Sequence, residues 1–281
     1  MKRKLKCTAL FILFMLFCIW IVWGNITVGI THYQVESSSL PAAFCHCKIA
    51  VLSDVHNAEF GKNNERLIAL IKQEQPNIIA ITGDFIDSRK TNIEQAGSLA
   101  ENLVKIAPCY FVTGNHEALI GEQYQQLEKK LLDASVIVLH NRAVTLTKEH
   151  FQIQLVGLCD PDFADTDFCV SQIIVKNNLA AMNLTEDYCI LLSHRPEAFD
   201  AYVSENIDLV LSGHAHGGQI RLPFIGGIAA PNQGFFPKYD AGKYTENHTT
   251  MIVSRGIGNS ILPVRFNNRP EIVIVEFVSD Q

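Results

Sequence analysis

Residues 207–216 read IDLVLSGHAH, a short run of Ile, Leu and Val that ends at Ser212-Gly213 and is followed by two histidines. An apolar run of this length that ends at a glycine is typical of a buried β-strand. Groups that directly follow a strand lie at its carboxyl end, which is where sites form in open α/β sheets. The stretch therefore predicts a buried strand that brings His214 and His216 to a site.

Four other apolar runs end in the same way, with a small residue and then a carboxylate, an amide or an imidazole. Their endings are Ser53-Asp54-Val55-His56, Gly83-Asp84, Gly114-Asn115-His116 and Ser193-His194. Because the carboxyl ends of neighbouring strands open onto one crevice, these side chains are expected to converge with His214 and His216. The glycines that precede them permit tight turns and a close approach of the backbone to bound ions.

Apolar runs and amphipathic segments alternate along the chain, as expected of an α/β protein. The predicted strands are residues 48–53, 77–82, 109–113, 151–158, 188–193, 207–212, 250–254 and 271–277. Helical periodicity is present at residues 64–73, 93–106, 122–132 and 170–182. No internal repeat is visible, so one catalytic domain with a short appendage is expected.

The polar groups that follow the strands include two Asp, one Asn and several His, with no Cys among them. This donor set suits divalent ions such as Mn, Fe or Zn better than a thiolate site. Seven ligands are too many for a single ion, whereas two ions roughly 3.5–4 Å apart and bridged by one carboxylate would use them all. Asp84 is the candidate bridge, because it is the lone carboxylate between the two outer groups.

The amino-terminal segment predicts a membrane anchor. Residues 7–23 are apolar and uncharged, which is the composition of a helix that spans a bilayer. The basic residues before them are expected to stay cytoplasmic, which makes this a single-pass cell-membrane protein with an extracytoplasmic catalytic domain. A cleaved signal peptide is the competing interpretation, but no A-x-A follows the apolar run. The expected division is an anchor at 1–30, a polar tether at 31–46 and the catalytic domain at 47–281.

The charge distribution bears on possible partners. Four of the 23 basic residues precede the first carboxylate, Glu36. The rest of the chain contains 19 basic and 29 acidic residues and is therefore acidic. No nucleic-acid binding is expected, because it depends on the neutralisation of phosphates by Lys and Arg. A small phosphorylated substrate held by metal ions is compatible with this charge. The sequence gives no indication of oligomeric state.

The motifs D-x-H, G-D, G-N-H-E, H and G-H-x-H follow one another in the order found in the calcineurin-like metallophosphoesterase superfamily, which the chain resembles. The wider text LLSHRPE, GHAHGGQIRLP and SRGIGNSILPVRF, with the anchor, resembles its bacterial membrane-associated branch of YkuE and YaeI type phosphodiesterases. The similarity covers roughly residues 49–277. It implies two mixed β-sheets packed as a sandwich and flanked by helices.

The resemblance also implies roles for the residues. One metal ion would be held by Asp54, His56 and His216, the other by Asn115, His194 and His214, and Asp84 would be shared between them. His116 would not be a ligand but the general acid that stabilises the leaving oxygen. Glu117 is expected to orient His116 through its second ring nitrogen.

The predicted function is metal-dependent hydrolysis of a phosphodiester or a pyrophosphate, with a lipid-linked substrate as one option. A hydroxide activated by the two metal ions would be the nucleophile. The alternatives are a phosphomonoesterase or protein phosphatase, and a non-catalytic membrane-anchored scaffold. The scaffold should lack part of the ligand set, and this chain has all of it.

Two further features allow two interpretations each. Arg195 follows a ligand and would either contact phosphate or form a structural salt bridge. Residues 217–242 combine Gly and Pro with Phe224, Phe235, Phe236 and Tyr239. They would form a substrate rim or lipid contact, or would simply pack under a long loop.

Overall fold

Two six-stranded sheets face each other in the computed structural model, which describes residues 2–164, 168–259 and 262–279. The first sheet contains, in spatial order, β1 (Gly29–Glu36), β16 (Glu271–Val278), β2 (Lys48–Leu52), β3 (Ile78–Thr82), β4 (Cys109–Val112) and β5 (Ile137–Val138). The second contains β14 (Gly242–Glu246), β15 (Thr249–Val253), β9 (Leu209–Ser212), β8 (Cys189–Leu192), β7 (Phe151–Gly157) and β6 (Arg142–Lys148).

Helices and short ribbons complete the fold. The α-helices are α1 (Lys2–Ile26), α2 (Glu65–Glu74), α3 (Ile93–Leu103), α4 (Asn115–Leu119), α5 (Tyr124–Asp133), α6 (Phe168–Ala181) and α7 (Phe199–Ser204). Short 3-10 helices lie at Ala42–Phe44, Lys62–Asn64, Gly121–Gln123, Pro161–Ala164, Pro196–Ala198 and His216–Gly218. Two ribbons pair β10 (Arg221–Leu222) with β11 (Gly226–Gly227), and β12 (Ala229–Ala230) with β13 (Gly234–Phe235).

Both sheets are mixed, and their central strands are parallel. In the first sheet β2, β3, β4 and β5 run parallel, while β16 is antiparallel to β2. In the second sheet β15, β9, β8 and β7 run parallel, with antiparallel strands at both edges. The carboxyl ends of the parallel strands are therefore grouped at one edge of each sheet.

Alternating side chains build a four-layer sandwich, because successive residues of a strand point to opposite faces. Ile49 and Val51 of β2 belong to the apolar cluster between the sheets, together with residues of β8 and β9. Ala50 and Leu52 belong to the cluster that packs under α2, α3 and α5. The expected fold, two mixed sheets packed as a sandwich and flanked by helices, is confirmed.

All eight predicted strands and all four predicted helices are present, with ends that differ by a few residues. The segment expected to be a strand-poor tether differs more, because residues 31–36 belong to β1. This strand pairs with β16 along its whole length, from Gly29 opposite Glu271 to Glu36 opposite Val278. It lies at the edge of the sheet and buries only Val35 fully, so its sequence lacks the apolar run that marks the central strands.

The helix α1 is apolar and largely exposed. Residues Lys4–Ile26 form the one helix in the described part of the chain that is long and apolar enough to cross a membrane. Its last turn contacts the loop that precedes β16: the Asn25 side chain accepts a hydrogen bond from the Arg265 amide (2.7 Å) and donates one to the Arg265 carbonyl (2.9 Å). Only Thr27 and Val28 separate α1 from β1, so helix and sheet are closely connected.

The position of β1 leads to a prediction about truncation. A soluble chain that begins at Ser37 lacks β1 and exposes the unpaired edge of β16, whereas a chain that begins at Thr27 keeps the strand. The shorter chain is expected to unfold at a temperature lower by roughly 5 °C or more, since each 1 kcal/mol corresponds to roughly 2–4 °C in a domain of this size. Thermal unfolding of both chains measures the difference. Equal midpoints would show that β1 adds nothing to stability.

Candidate metal centre

Loops from both sheets meet at the carboxyl ends of β2, β3, β4, β8 and β9. Within each sheet, backbone hydrogen bonds join neighbouring loops: the Asp54 amide donates to the Gly83 carbonyl (3.0 Å) in the first sheet, and the Gly213 amide donates to the His194 carbonyl (3.3 Å) in the second. The His194 ring links the two sheets, since its Nδ1 lies 2.8 Å from the Thr82 carbonyl oxygen. The two sheets therefore build one site together.

The backbone is strained where several polar side chains enter this site. Non-glycine residues rarely adopt a positive φ, which costs about 1–2 kcal/mol per residue. The positive φ angles here are Asp54 (49°), His56 (48°), Asp84 (51°), His214 (66°) and His216 (48°). Such strain persists only where the surrounding structure holds it, and it is concentrated at functional sites.

The first group of potential ligands contains Asp54, His56, Asp84 and His216, whose nearest ligand atoms all lie within 4.8 Å of one another. The His216 Nε2 is 3.2 Å from Asp54 Oδ1 and 3.1 Å from His56 Nε2. The His56 Nε2 is 3.5 Å from Asp84 Oδ2. All four residues are buried.

The second group contains Asp84, His194 and His214, again within 4.8 Å. The His194 Nε2 lies 3.3 Å from Asp84 Oδ2 and 3.1 Å from His214 Nδ1. Asn115, at the start of α4, has a buried Oδ1 with no hydrogen-bond partner among the described residues. A buried carbonyl oxygen without a donor indicates that something else satisfies it, and a metal ion is one such partner.

Asp84 belongs to both groups, and the backbone around it orients its carboxylate. The His116 amide donates to Oδ1 (2.8 Å), which leaves Oδ2 facing the histidines of both groups. A Cβ on Gly114 would lie 2.3 Å from Asp84 Oδ1, so only glycine fits beside it. The carboxylate can therefore face two neighbouring ions at once.

The protonation of the histidines fits metal binding. Burial lowers the pKa of His56 to about 4 and holds those of His214 and His216 well below the usual value, so these rings are neutral and offer lone pairs. Burial alone would also lower the pKa of His194, but Asp84 and then Asp54 raise it to about 10. The negative charge that stabilises a proton there would equally stabilise a divalent cation.

The comparisons with known proteins agree with this geometry. The profile of the calcineurin-like phosphoesterase family matches residues 47–218. The chain belongs to that family. It is a dinuclear metal phosphoesterase, and its buried oxygen and nitrogen donors fit two divalent ions.

Three relatives show how far the similarity extends. The uncharacterized metallophosphoesterase YkuE of Bacillus subtilis (strain 168) is 31% identical, over 87% of this chain and 83% of its own length. Phosphodiesterase YaeI of Escherichia coli (strain K12) is 29% identical, over 82% of each chain. A transmembrane protein with metallophosphoesterase domain from Danio rerio is 29% identical, over 85% of this chain and 55% of its own length.

Glu117 has a different role in this phosphoesterase from the one expected. Its buried carboxylate accepts hydrogen bonds from the backbone amides of Asp84 (2.8 Å), Phe85 (2.9 Å), Ile86 (3.2 Å) and Gly114 (2.7 Å). The expectation that Glu117 orients His116 is therefore wrong. It holds the turn after β3 against the turn after β4.

His116 is oriented by Ser88 instead. The Ser88 amide donates to His116 Nδ1 (2.9 Å), and the Ser88 Oγ lies 3.0 Å from the same nitrogen. Because a backbone N–H can only donate, Nδ1 accepts and the ring proton is carried by Nε2. The ring packs edge-on against His56, with 4.4 Å between the centroids. Nothing in the sequence around Ser88 marks this role, since it lies on an irregular loop 28 residues away.

The two interpretations of Arg195 are resolved in favour of a structural salt bridge. Its guanidinium is buried and forms a two-point contact with Asp160, at 2.6 Å from Nε and 2.7 Å from Nη2. Its Nη1 lies 3.1 Å from Nε2 of His214, the ring nitrogen other than the one that faces His194.

Sequence reasoning missed Arg265. Its side chain is fully buried, donates to the carbonyls of Arg255 (2.7 Å) and Gly258, and approaches His216 Nδ1 to 3.4 Å. The text SRGIGNSILPVRF contains this residue, but no local pattern indicates that an arginine so far along the chain reaches a histidine after β9.

The aromatic residues of segment 217–242 fall into two classes. Tyr239 is buried and packs against Phe199 and Tyr244, with 5.5 Å and 5.1 Å between the ring centroids. Phe224, Phe235 and Phe236 are exposed. Packing therefore explains Tyr239, whereas the three phenylalanines remain available for an external contact.

The contacts of Glu117 give a prediction. In Glu117→Gln an amide NH2 replaces one of the two oxygens that face four backbone N–H groups, so at least one of those groups loses its acceptor. The free energy of unfolding is expected to fall by about 2–3 kcal/mol, with reduced metal occupancy. Glu122→Gln is the matched control, because Glu122 is exposed. Urea unfolding measures both variants, and equal stabilities would contradict the role of Glu117.

Proposed function

We propose that the protein hydrolyses a phosphodiester or a pyrophosphate at two divalent metal ions. The observation that supports this most directly is the pair of overlapping ligand groups that share Asp84. Asp54, His56 and His216 would complete one ion site, and Asn115, His194 and His214 the other. The donor chemistry favours Mn, Fe or Zn as the ions.

Two such ions would lower the pKa of water from about 15.7 towards 7 and neutralise the phosphoryl oxygens of the substrate. The protein side chains supply orientation and proton transfer. His116 carries its proton on Nε2, because Nδ1 accepts from the Ser88 amide. Its proposed role as general acid is to present this Nε2–H to the leaving oxygen and to stabilise the negative charge that develops there.

An open cleft lies beside the metal centre. It is lined by His56, Ala58, Asp87, Arg89, Lys90, Asn259 and Pro263. Arg89 pairs with Asp87 at 2.8 Å, while the exposed Lys90 adds a second positive charge at the cleft wall. These charges suit an anionic substrate. The name of the relative YaeI, a phosphodiesterase, supports a diester in particular.

We further propose that α1 anchors the protein in the cell membrane. The helix is long and apolar enough to cross a bilayer. The basic residues at its start favour a cytoplasmic amino terminus and an extracytoplasmic catalytic domain. The proposed division is an anchor at 1–30, a connection at 31–46 that includes most of β1, and the catalytic domain at 47–281. A lipid-linked phosphoester is the substrate class that this placement favours.

Two substitutions separate metal binding from proton transfer. Asp84→Ala removes the shared ligand and is expected to lose both ions together with hydrolysis of bis-p-nitrophenyl phosphate. His116→Ala removes no ligand, so it is expected to keep two ions per chain while kcat falls by about 10²–10⁴-fold. Metal analysis of the purified proteins and the hydrolysis assay measure the two effects.

The same variants, together with a control, test the roles assigned to Asp84 and His116. His140→Ala serves as the control, because His140 pairs with Glu128 at 2.9 Å, outside the metal centre, and should change neither readout. Retention of both ions by Asp84→Ala would contradict the bridging role. Unchanged turnover by His116→Ala would contradict the general acid. An intact protein that binds ions but hydrolyses no phosphoester would support the scaffold alternative.

The charge at the cleft wall gives a separate prediction. Lys90→Ala is expected to raise the KM for an anionic diester by up to about fivefold with kcat nearly unchanged, because an exposed charge contributes at most about 1 kcal/mol. Lys72→Ala, on the exposed face of α2, is the matched control. Steady-state kinetics at low and high salt should show the difference shrink as salt screens the charge. A KM that does not change at low salt would place the substrate elsewhere.

A further inference from the structure

Apolar side chains are exposed on the catalytic domain close to α1. We call them the apolar rim, and they are Leu222, Phe224, Ile225, Leu262 and Val264. The side chain of Phe224 is fully exposed, and those of Ile225 and Val264 are exposed by 58% and 50%. Isolated exposed apolar residues are ordinary, but a contiguous group marks a surface that contacts something apolar.

Hydrogen bonds join the two segments of the apolar rim into one surface. Gln219 Nε2 donates to the carbonyls of Leu262 (3.0 Å) and Val264 (3.1 Å). The Arg221 amide, at the start of β10, donates to the Phe266 carbonyl (3.0 Å). The hairpin of β10 and β11 therefore lies beside the loop at 262–266.

The same loop packs against α1. The Phe266 ring lies 6.2 Å from that of Phe17 and 5.6 Å from that of Trp20, centroid to centroid. Further along the helix, the Arg269 guanidinium lies over the Trp23 ring at 4.6 Å. The apolar rim is thus continuous with the surface that contacts α1.

The contacts lie well inside the apolar part of α1. Phe17 precedes the end of the helix at Ile26 by nine residues, which is about 13 Å at 1.5 Å per residue. A bilayer core of about 30 Å requires about 20 residues, so nearly all of Lys4–Ile26 is needed to cross it. Phe266 must then lie below the membrane surface whenever α1 spans the bilayer.

We propose that the apolar rim inserts into the outer part of the same lipid bilayer that α1 crosses. The catalytic domain is then seated in the membrane surface, not held above it on a tether. Continuity with α1 identifies the lipid as the occupant, because a neighbour of Phe266 at that depth contacts acyl chains. This inference rests on the membrane span that forms part of the proposed function.

The seating connects the bilayer with the metal centre. Pro263, between Leu262 and Val264 of the apolar rim, lines the same cleft as His56. A substrate with a phosphoester head group and a lipid tail can place its head group in the cleft while its tail stays in the bilayer. The substrate class that fits this surface is therefore an amphiphile that enters from the membrane.

Fluorescence quenching by lipids tests the inference on the full chain. The protein has two tryptophans, Trp20 and Trp23, both on α1, and each can be replaced by Phe to give a background without tryptophan. Phe224→Trp in this background places a single fluorophore on the apolar rim. The control is Phe151→Trp, since Phe151 is exposed at the amino end of β7, away from the carboxyl ends that carry the site.

Both variants are reconstituted in phosphatidylcholine vesicles with and without brominated acyl chains. Brominated lipid is expected to quench the Phe224→Trp emission at least twofold and to leave that of Phe151→Trp unchanged. Val264→Trp should behave like Phe224→Trp, which guards against a local effect of one substitution. Water-like, unquenched emission from both rim variants would overturn the proposal. Blue-shifted emission without quenching would also overturn it, because protein such as a second copy would then cover the rim.

The unaltered protein separates failure of this inference from failure of the membrane span. Quenching of the native Trp20 and Trp23 by brominated lipid reports that α1 lies in the bilayer. Unquenched native tryptophans would reject the span itself and the inference with it. Quenched native tryptophans together with unquenched rim variants would reject the inference alone. Hydrolysis of a water-soluble diester is a separate readout and tests the catalytic proposal independently of both.

Discussion

The metal centre depends on one buried carboxylate that is not expected to bind metal. Glu117 accepts hydrogen bonds from four backbone amides, among them those of Asp84 and Gly114. An isolated charge at this depth would be very unfavourable, and burial raises the pKa of Glu117 to about 7, but the four donors favour its charged form. The turns after β3 and β4 are thereby held in one arrangement, in which Asp84 reaches both ligand groups.

The central strands could be predicted because the pattern that marks each one lies within its own residues. Each is an apolar run of four or five residues, buried on both faces, that ends abruptly at a small residue, as in β3 and β9. The edge strands β1 and β6 carry no such signal. Only Val35 of β1 and no residue of β6 is fully buried, so pairing with β16 or β7, not their own composition, makes them strands. A sequence pattern cannot show which polar segment finds a free sheet edge.

The potential ligands could be predicted to converge, because parallel topology brings strand ends together whatever the details of packing. The contacts that hold these ligands in place could not be predicted. Glu117 directly follows His116, but neighbouring residues of a helix point in directions about 100° apart, so adjacency in the sequence misled. Ser88 and Arg265 reach the site from distant irregular loops, and only the folded backbone places them against His116 and His216.

The charge of the centre explains why its function should depend on the bound ions. Burial raises the pKa of Asp54 to about 6, and the neighbouring Asp84 adds to the rise, so the charged form of Asp54 is disfavoured when no cation is bound. With neutral histidines the ligands carry at most two negative charges, and two divalent ions would reverse the sign. A phosphoester anion would then be attracted by the centre itself, although the protein as a whole is acidic. The same ions must therefore both bind the phosphoester group and promote its hydrolysis. Because any phosphoester would be attracted in this way, discrimination between substrates must come from the cleft and the surface around it.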